Sequence, residues 1–137
     1  MSTQVFVDTS AFLALADTAD PGHAKAVELL GHLEGPLVTS NLVLLETTGL
    51  VAERAGHRKA AEVLERLRAV AGLRVFHVDA EVERKGWEFF LREGRRGLSP
   101  ARAMNFALMR ELGIRMVFTF DRAARDLGFI VVPMTEG

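Results

Sequence analysis

Short, wholly apolar runs alternate with longer stretches of helical periodicity, and this alternation limits the fold more than any other feature of the chain. A strand covered by helices on both sides is apolar on both faces, so βα alternation implies a mainly parallel sheet. "QVFV" (Gln4–Val7) reads as the first strand and passes straight into the helical "TSAFLALAD". In "DTADPGH", Asp20 is placed to cap a second helix and Pro21 to open it, with Ala24, Val27 and Leu30 on its apolar face. A brief strand is expected at Pro36–Thr39. Ser40 or Asn41 then caps a helix reaching about Arg54. Past Gly56, Ala60, Val63, Leu64 and Leu67 recur at helical spacing. "LRVFHVD" is the third expected strand, followed by the helix "AEVERKGWEFFLREG". The helix "LSPARAMNFALMRELGI" ends at Gly113 and leads into the strand "GIRMVFTFD"; a short helix and the strand "FIVVP" complete the pattern. No repeat, low-complexity tract or linker interrupts it. The expectation is one compact α/β domain over residues 1–137, a three-layer fold with a central parallel five-stranded sheet flanked by helices.

Charge and composition narrow the function classes. The net charge of −1 provides no overall basic field, so any contact with nucleic acid has to come from a local patch. Cysteine is absent, which removes disulfide frameworks and thiolate zinc sites. No signal-peptide pattern opens the chain and no apolar run has the length of a membrane span, so a cytoplasmic protein with no membrane partner is expected.

Ligands of open α/β sheets bind at the carboxyl ends of the strands, and three acids stand there. Asp8 follows Val5–Val7, Asp79 follows Val75–Val78, and Asp121 follows Met116–Phe120. Taken singly, each is also explained as a helix N-cap. Glu46 is different. It shares a helical face with Leu42 and Leu50 inside "NLVLLETTGLV", where an unpaired carboxylate is costly to bury. It therefore calls for an arginine, a hydrogen-bonding network or a cation. A hard divalent ion shared with the strand-end acids satisfies all of these carboxylates at once. The four histidines, His23, His32, His57 and His77, show no metal-ligand spacing and read as surface or structural.

"VFVDTSAFLAL", "DPGHAKA", "LVTSNLVLLETTGLV", "GLSPARAMNFALMRELGI" and "VFTFDRAARDLGF" occur in that order. Together they resemble PIN domains, and most closely the VapC-type toxin ribonucleases of toxin–antitoxin pairs. The resemblance spans essentially the whole chain. It implies an Mg²⁺- or Mn²⁺-dependent hydrolysis of RNA phosphodiester bonds, in which the metal lowers the pKa of a bound water and neutralises charge on the phosphorane. It also implies a small antitoxin partner and a homodimer. The family's catalytic and metal-binding acids fall on Asp8, Glu46 and Asp121, and the supporting hydroxyls on Thr9, Ser10 and Thr119. Asp79 matches no ligand position and returns to its N-cap reading.

The pattern departs from the family at one helix. Most VapC-like proteins carry an aspartate shortly after the serine that opens it; here, in register with Ser99, that position is Arg102. A further family feature, an acid or histidine two residues after the strand-end aspartate, is replaced by Ala123. Three outcomes stay open. The remaining acids bind one metal with help from Asn105; or Arg102 turns inward onto Asp8 or Asp121 and excludes the ion; or Arg102 swings out towards RNA phosphate. Reduced metal affinity is the expectation. Arg92, Arg95 and Arg96 in "REGRRG" are candidate RNA contacts, equally explained as a solvated helix end. "ERAGHRKAAEVLERLR" corresponds to the region that docks the antitoxin in VapC-like proteins, although its apolar stripe is equally plain core. The alternative function is a catalytically impaired PIN domain that binds RNA or a protein partner. A receiver-like or phosphatase-like domain using Asp8 ranks far behind, because it needs a second acid after the first strand and leaves Glu46 without a role.

Overall fold

The apolar run Val5-Phe6-Val7 is buried along its whole length, as a strand covered on both faces must be. The computed structural model describes residues 4–33, 35–94, 97–121 and 123–132. In chain order the elements are β1 (Val5–Val7), α1 (Thr9–Ala16), α2 (His23–His32), β2 (Leu37–Ser40), α3 (Asn41–Ala55) and α4 (His57–Arg68). They continue with β3 (Leu73–Phe76), α5 (Ala80–Glu93), α6 (Pro100–Leu112), β4 (Met116–Phe118), α7 (Ala123–Asp126) and β5 (Ile130–Val132). The strands form one five-stranded sheet, all parallel, in the order β3-β2-β1-β4-β5. Phe6 pairs with Val38 on one side and Val117 on the other. The chain builds outward from β1 in one direction and then in the other. The carboxyl ends of β1 and β4 therefore flank the switch point where such sheets bind ligands.

Local sequence explains most element boundaries. Pro36 has no N–H to give, but its carbonyl accepts from Val5 N at 3.0 Å, so β2 begins one residue later than expected. Ser40 ends β2 and caps α3 by accepting from Val43 N at 3.1 Å. Asp79 caps α5 through Val82 N, as its N-cap reading required. Ser99 caps α6 through Arg102 N, Pro100 follows in the first turn, and Gly113 at φ 70° closes the helix.

The second helix corrects two expectations. It starts at His23 with Gly22 as its cap, so Pro21 precedes it. Asp20 closes the preceding turn instead, its carboxylate accepting from Gly22 N and its carbonyl from His23 N. The buried face is Ala26 with half-buried Leu29, while Ala24, Val27 and Leu30 are exposed. His23 orients the helix by donating from Nδ1 to the Ala14 carbonyl at 2.8 Å, and that tie turns Ala26 rather than the larger side chains onto α1.

Helix α6 is buried without interruption from Ala103 to Met109. Phe106 stacks on Phe129, with ring centres 4.9 Å apart, and meets the edge of Phe89 at 6.1 Å. Helix α5 crosses α6 at Gly86, where a β-carbon would lie 2.8 Å from the Cα of Met104. Gly86→Ala is therefore expected to destabilise the protein by about 1–3 kcal/mol, although alanine gains roughly 1 kcal/mol of helix propensity. Urea denaturation measures the difference, and an unchanged midpoint would show that the crossing relaxes freely. Among the described residues, no helix is long and apolar enough to cross a membrane.

Candidate active site at the ends of β1 and β4

Asp8 leaves β1 in extended backbone and caps α1, its Oδ1 accepting from Thr9 N at 2.8 Å. Its own N–H donates to the Phe118 carbonyl at 3.0 Å, fastening the end of β1 to β4. The second carboxylate oxygen, Oδ2, accepts from the Thr119 hydroxyl at 3.1 Å. A hydroxyl has a single proton, so with that proton on Asp8 the other contacts of Thr119 Oγ1 must be accepted. They come from Asp121 N at 3.1 Å and from the Ser10 hydroxyl at 3.0 Å. Ser10 Oγ in turn accepts from Phe120 N at 2.9 Å. A directed chain thus runs from the Phe120 backbone through Ser10 and Thr119 to Asp8. Ser10 and Thr119 both contribute their hydroxyls to this chain. Thr9 serves through its backbone, and its buried hydroxyl has no hydrogen-bond partner among the described residues.

The side chain of Arg102 enters this site. One guanidinium nitrogen, Nη2, donates to Asp8 Oδ2 at 3.2 Å, and the other, Nη1, is paired with Asp121 Oδ2. Nη1 also lies 3.3 Å from the Gly97 carbonyl. The Arg102 side chain is only 18% exposed, against 11% for Asp8 and 34% for Asp121. Of the three outcomes open from sequence, the inward one is the arrangement seen. The planar fork suits it, since each arm reaches a different carboxylate.

Asn105, one turn further along α6, is buried and accepts from the Ser40 hydroxyl at 2.6 Å. This bond ties the helix bearing Arg102 to the end of β2. From sequence alone Ser40 reads only as a candidate cap of α3. A capping residue whose hydroxyl proton is still free to donate was the available signal.

Glu46 departs from its expected setting. The buried residues of α3 are Val43, Thr47 and Val51, and Glu46 is exposed beside them. It makes no hydrogen bond or ion pair among the described residues. No group of three His, Asp or Glu side chains among the described residues is arranged to hold a metal ion. The oxygen donors are of the kind Mg²⁺ and Mn²⁺ prefer. Asp8 and Asp121, however, already face a permanent cation. As arranged, the residues do not fit a divalent ion held by carboxylates.

The remaining candidates are peripheral. Arg92 is exposed near the end of α5, 3.8 Å from the Glu93 carboxylate and over the Phe89 ring at 5.4 Å. Arg95 and Arg96 lie outside the described residues. His23 and His32 bond backbone carbonyls, and His57 and His77 are exposed.

Comparison with known proteins agrees with the fold. Residues 5–130 match the family described as PIN domain. The chain is 38% identical over 128 residues to the 23S rRNA-specific endonuclease VapC20 of Mycobacterium tuberculosis, spanning 93% of this chain and 97% of the relative. It is 32% identical over 136 residues to ribonuclease VapC26 of the same organism, spanning 94% of this chain and all of the relative (100%). The crystal structure of VapC20, described as a sarcin–ricin loop cleaving toxin, superposes with a TM-score of 0.85 at 36% identity, over 92% of this chain and 96% of that one. VapBC2 from Rickettsia felis, solved bound to a fragment of promoter DNA, shares the fold alone: TM-score 0.69 at 12% identity, over 93% and 96% of the two chains.

Proposed function

We propose, from the premise that this chain belongs to the PIN domain family, that it is a ribonuclease of the VapC toxin type, hydrolysing RNA phosphodiester bonds at the junction of β1 and β4. The observation that carries the proposal is the pairing of Asp8 and Asp121 at the switch point, joined through the Thr119 hydroxyl. Thr119 and Ser10 hold the Asp8 carboxylate in one orientation. Asn105 and Ser40 hold α6 against the sheet beside it. Arg102 lowers the activity by holding both acids. Mg²⁺ or Mn²⁺ is kept as the cofactor only for a form of the site in which Arg102 has left the carboxylates, with Asp8, Glu46 and Asp121 as its ligands. Arg92, Arg95 and Arg96 are assigned to the RNA backbone.

The test is a cleavage assay on 23S rRNA and on an isolated sarcin–ricin stem-loop, with Mn²⁺ or Mg²⁺. Slow cleavage that disappears in Asp8→Asn is the expected result; equal rates for the two proteins would sink the proposal. One observation favours a second reading, an RNA-binding module that does not cut: the guanidinium engages both acids at once. Retained RNA binding without cleavage above the Asp8→Asn control would select it.

The partner side of the proposal is a small antitoxin and a homodimer, in a cytoplasmic protein whose single domain covers 1–137. An open apolar groove of about 320 Å³ runs between α1, α2 and α4, lined by Phe12, Leu15, Leu67 and Val70 with Val27 and Leu30 at its mouth. Val27 is 50% exposed and Leu30 38%, so a charge at either position leaves the core intact. Val27→Glu is expected to weaken association with a co-expressed antitoxin by roughly 10-fold or more while Tm holds. Titration calorimetry checks it, and unchanged affinity would place the partner elsewhere.

A further inference from the structure

We infer that Arg102 is an internal competitor of the divalent cation: its guanidinium bridges Asp8 and Asp121 in the resting molecule, offsetting one of their two charges and keeping the ion out until it is displaced. The inference rests on the assignment of Asp8 and Asp121 as the nuclease acids. It adds a reason for the lowered activity and a behaviour that does not involve RNA.

Parallel pairing of β1 with β4 brings Val7 level with Phe118, so Asp8, directly after β1, and Asp121, three residues past the end of β4, gather at one end of the sheet, within reach of the same guanidinium. Two like charges in such a place destabilise the fold unless a counterion accompanies them. Arg102 supplies one from within the chain. Its backbone is fixed by the Ser99 cap and by the buried run of α6, and its side chain is held at three acceptors: Asp8 Oδ2, Asp121 Oδ2 and the Gly97 carbonyl. With 18% of the side chain exposed, it is a seated group rather than a surface arm.

The chemistry of the replacement makes the effect one-sided. An aspartate at this position would add an oxygen donor to a metal site. An arginine has no lone pair to offer at any accessible pH and brings a positive charge to the same place. A divalent ion entering between Asp8 and Asp121 must therefore break both guanidinium contacts and meet a cation beside it. Its apparent affinity falls in proportion to the small fraction of molecules in which Arg102 is out.

The test uses the full chain without RNA. Thermal unfolding and Mn²⁺ calorimetry are run on the wild type, Arg102→Gln and Arg102→Lys, each in EDTA and in millimolar Mn²⁺. The wild type is expected to melt at the same temperature in both. Arg102→Gln is expected to melt about 4 °C lower or more in EDTA, to regain that loss in Mn²⁺, and to bind Mn²⁺ at least roughly 10-fold more tightly than the wild type. Adding Asp121→Asn to Arg102→Gln should abolish the recovery. Arg102→Lys, which keeps the charge and guards against a variant that does not fold, should remain insensitive to Mn²⁺. A wild type stabilised by Mn²⁺ as much as Arg102→Gln overturns the inference, as does an Arg102→Gln protein that gains nothing from the ion. Absence of RNA cleavage in every variant would instead count against the nuclease reading and leave these melting results standing.

Discussion

Arg102→Asp is expected to raise Mn²⁺ affinity by about 100-fold or more, and the rate of RNA cleavage at limiting Mn²⁺ with it. The substitution moves the local charge by two units, from a guanidinium between two carboxylates to a third carboxylate beside them. A unit-charge interaction at about 4 Å is worth roughly 4 kcal/mol at the effective dielectric of a protein surface. The site is partly open, with Asp121 34% exposed, so solvent screening reduces the gain. A remaining advantage of about 2.7 kcal/mol corresponds to the 100-fold figure. The helix should tolerate the change. Ser99 bonds the backbone N–H of residue 102, which any side chain leaves in place, and a negative charge in the first turn suits the helix dipole. Calorimetry at fixed ionic strength reads the affinity, and a gel on the stem-loop reads the rate. If affinity stays where the wild type has it, Arg102 is not what limits the metal.

Phe106→Ala is expected to cost about 3–5 kcal/mol of stability. Phe106 is 4% exposed, stacked on Phe129 and in edge contact with Phe89, so its removal opens a cavity bounded by α5, α6 and Phe129 just ahead of β5. A domain is stable by only about 5–15 kcal/mol in total, so the loss is a large share. Its neighbours cannot close in easily, because α5 already touches α6 at Gly86. Phe106→Leu keeps most of the volume and should lose markedly less. Chemical denaturation of the two variants supplies the comparison; an alanine protein within about 1 kcal/mol of the leucine one would mean that the cavity collapses.

Much of this architecture was legible in the sequence because it rests on local physics. Strands buried on both faces announce themselves as unbroken apolar runs. Ser99, Asp79 and Gly113 do at helix ends what their side chains, or the lack of one, dispose them to do. Asp8 was legible as a strand-end acid because it follows a buried apolar run directly; Asp121, expected directly after Met116–Phe120, instead lies three residues past the strand's end at Phe118. The misreadings share a cause. At Glu46, leucines four residues away on either side suggested burial, yet Leu42 and Leu50 are themselves only half-buried and the core face runs through Val43, Thr47 and Val51. In α2, the larger apolar residues marked a stripe, but the turn at Asp20 and the His23 tie rotated Ala26 inward. Periodicity tells which residues share a face. Which face meets the core is decided by contacts distant in sequence. The path of Arg102 was undecidable for the same reason, since its two partners lie 94 residues before it and 19 residues after it.

The strand order also sets the timing of the site during synthesis. β1 is made first and becomes the middle of the sheet, but β4, its neighbour on the acidic side, comes from the last quarter of the sequence. Domains generally fold as units, and chains emerge at about 5–20 residues per second. For most of its synthesis the nascent chain therefore holds Asp8 with neither Arg102 nor Asp121 beside it. Arg102 leaves the ribosome before Asp121, so the guanidinium is already present when the second acid arrives. The two carboxylates never have to meet without it.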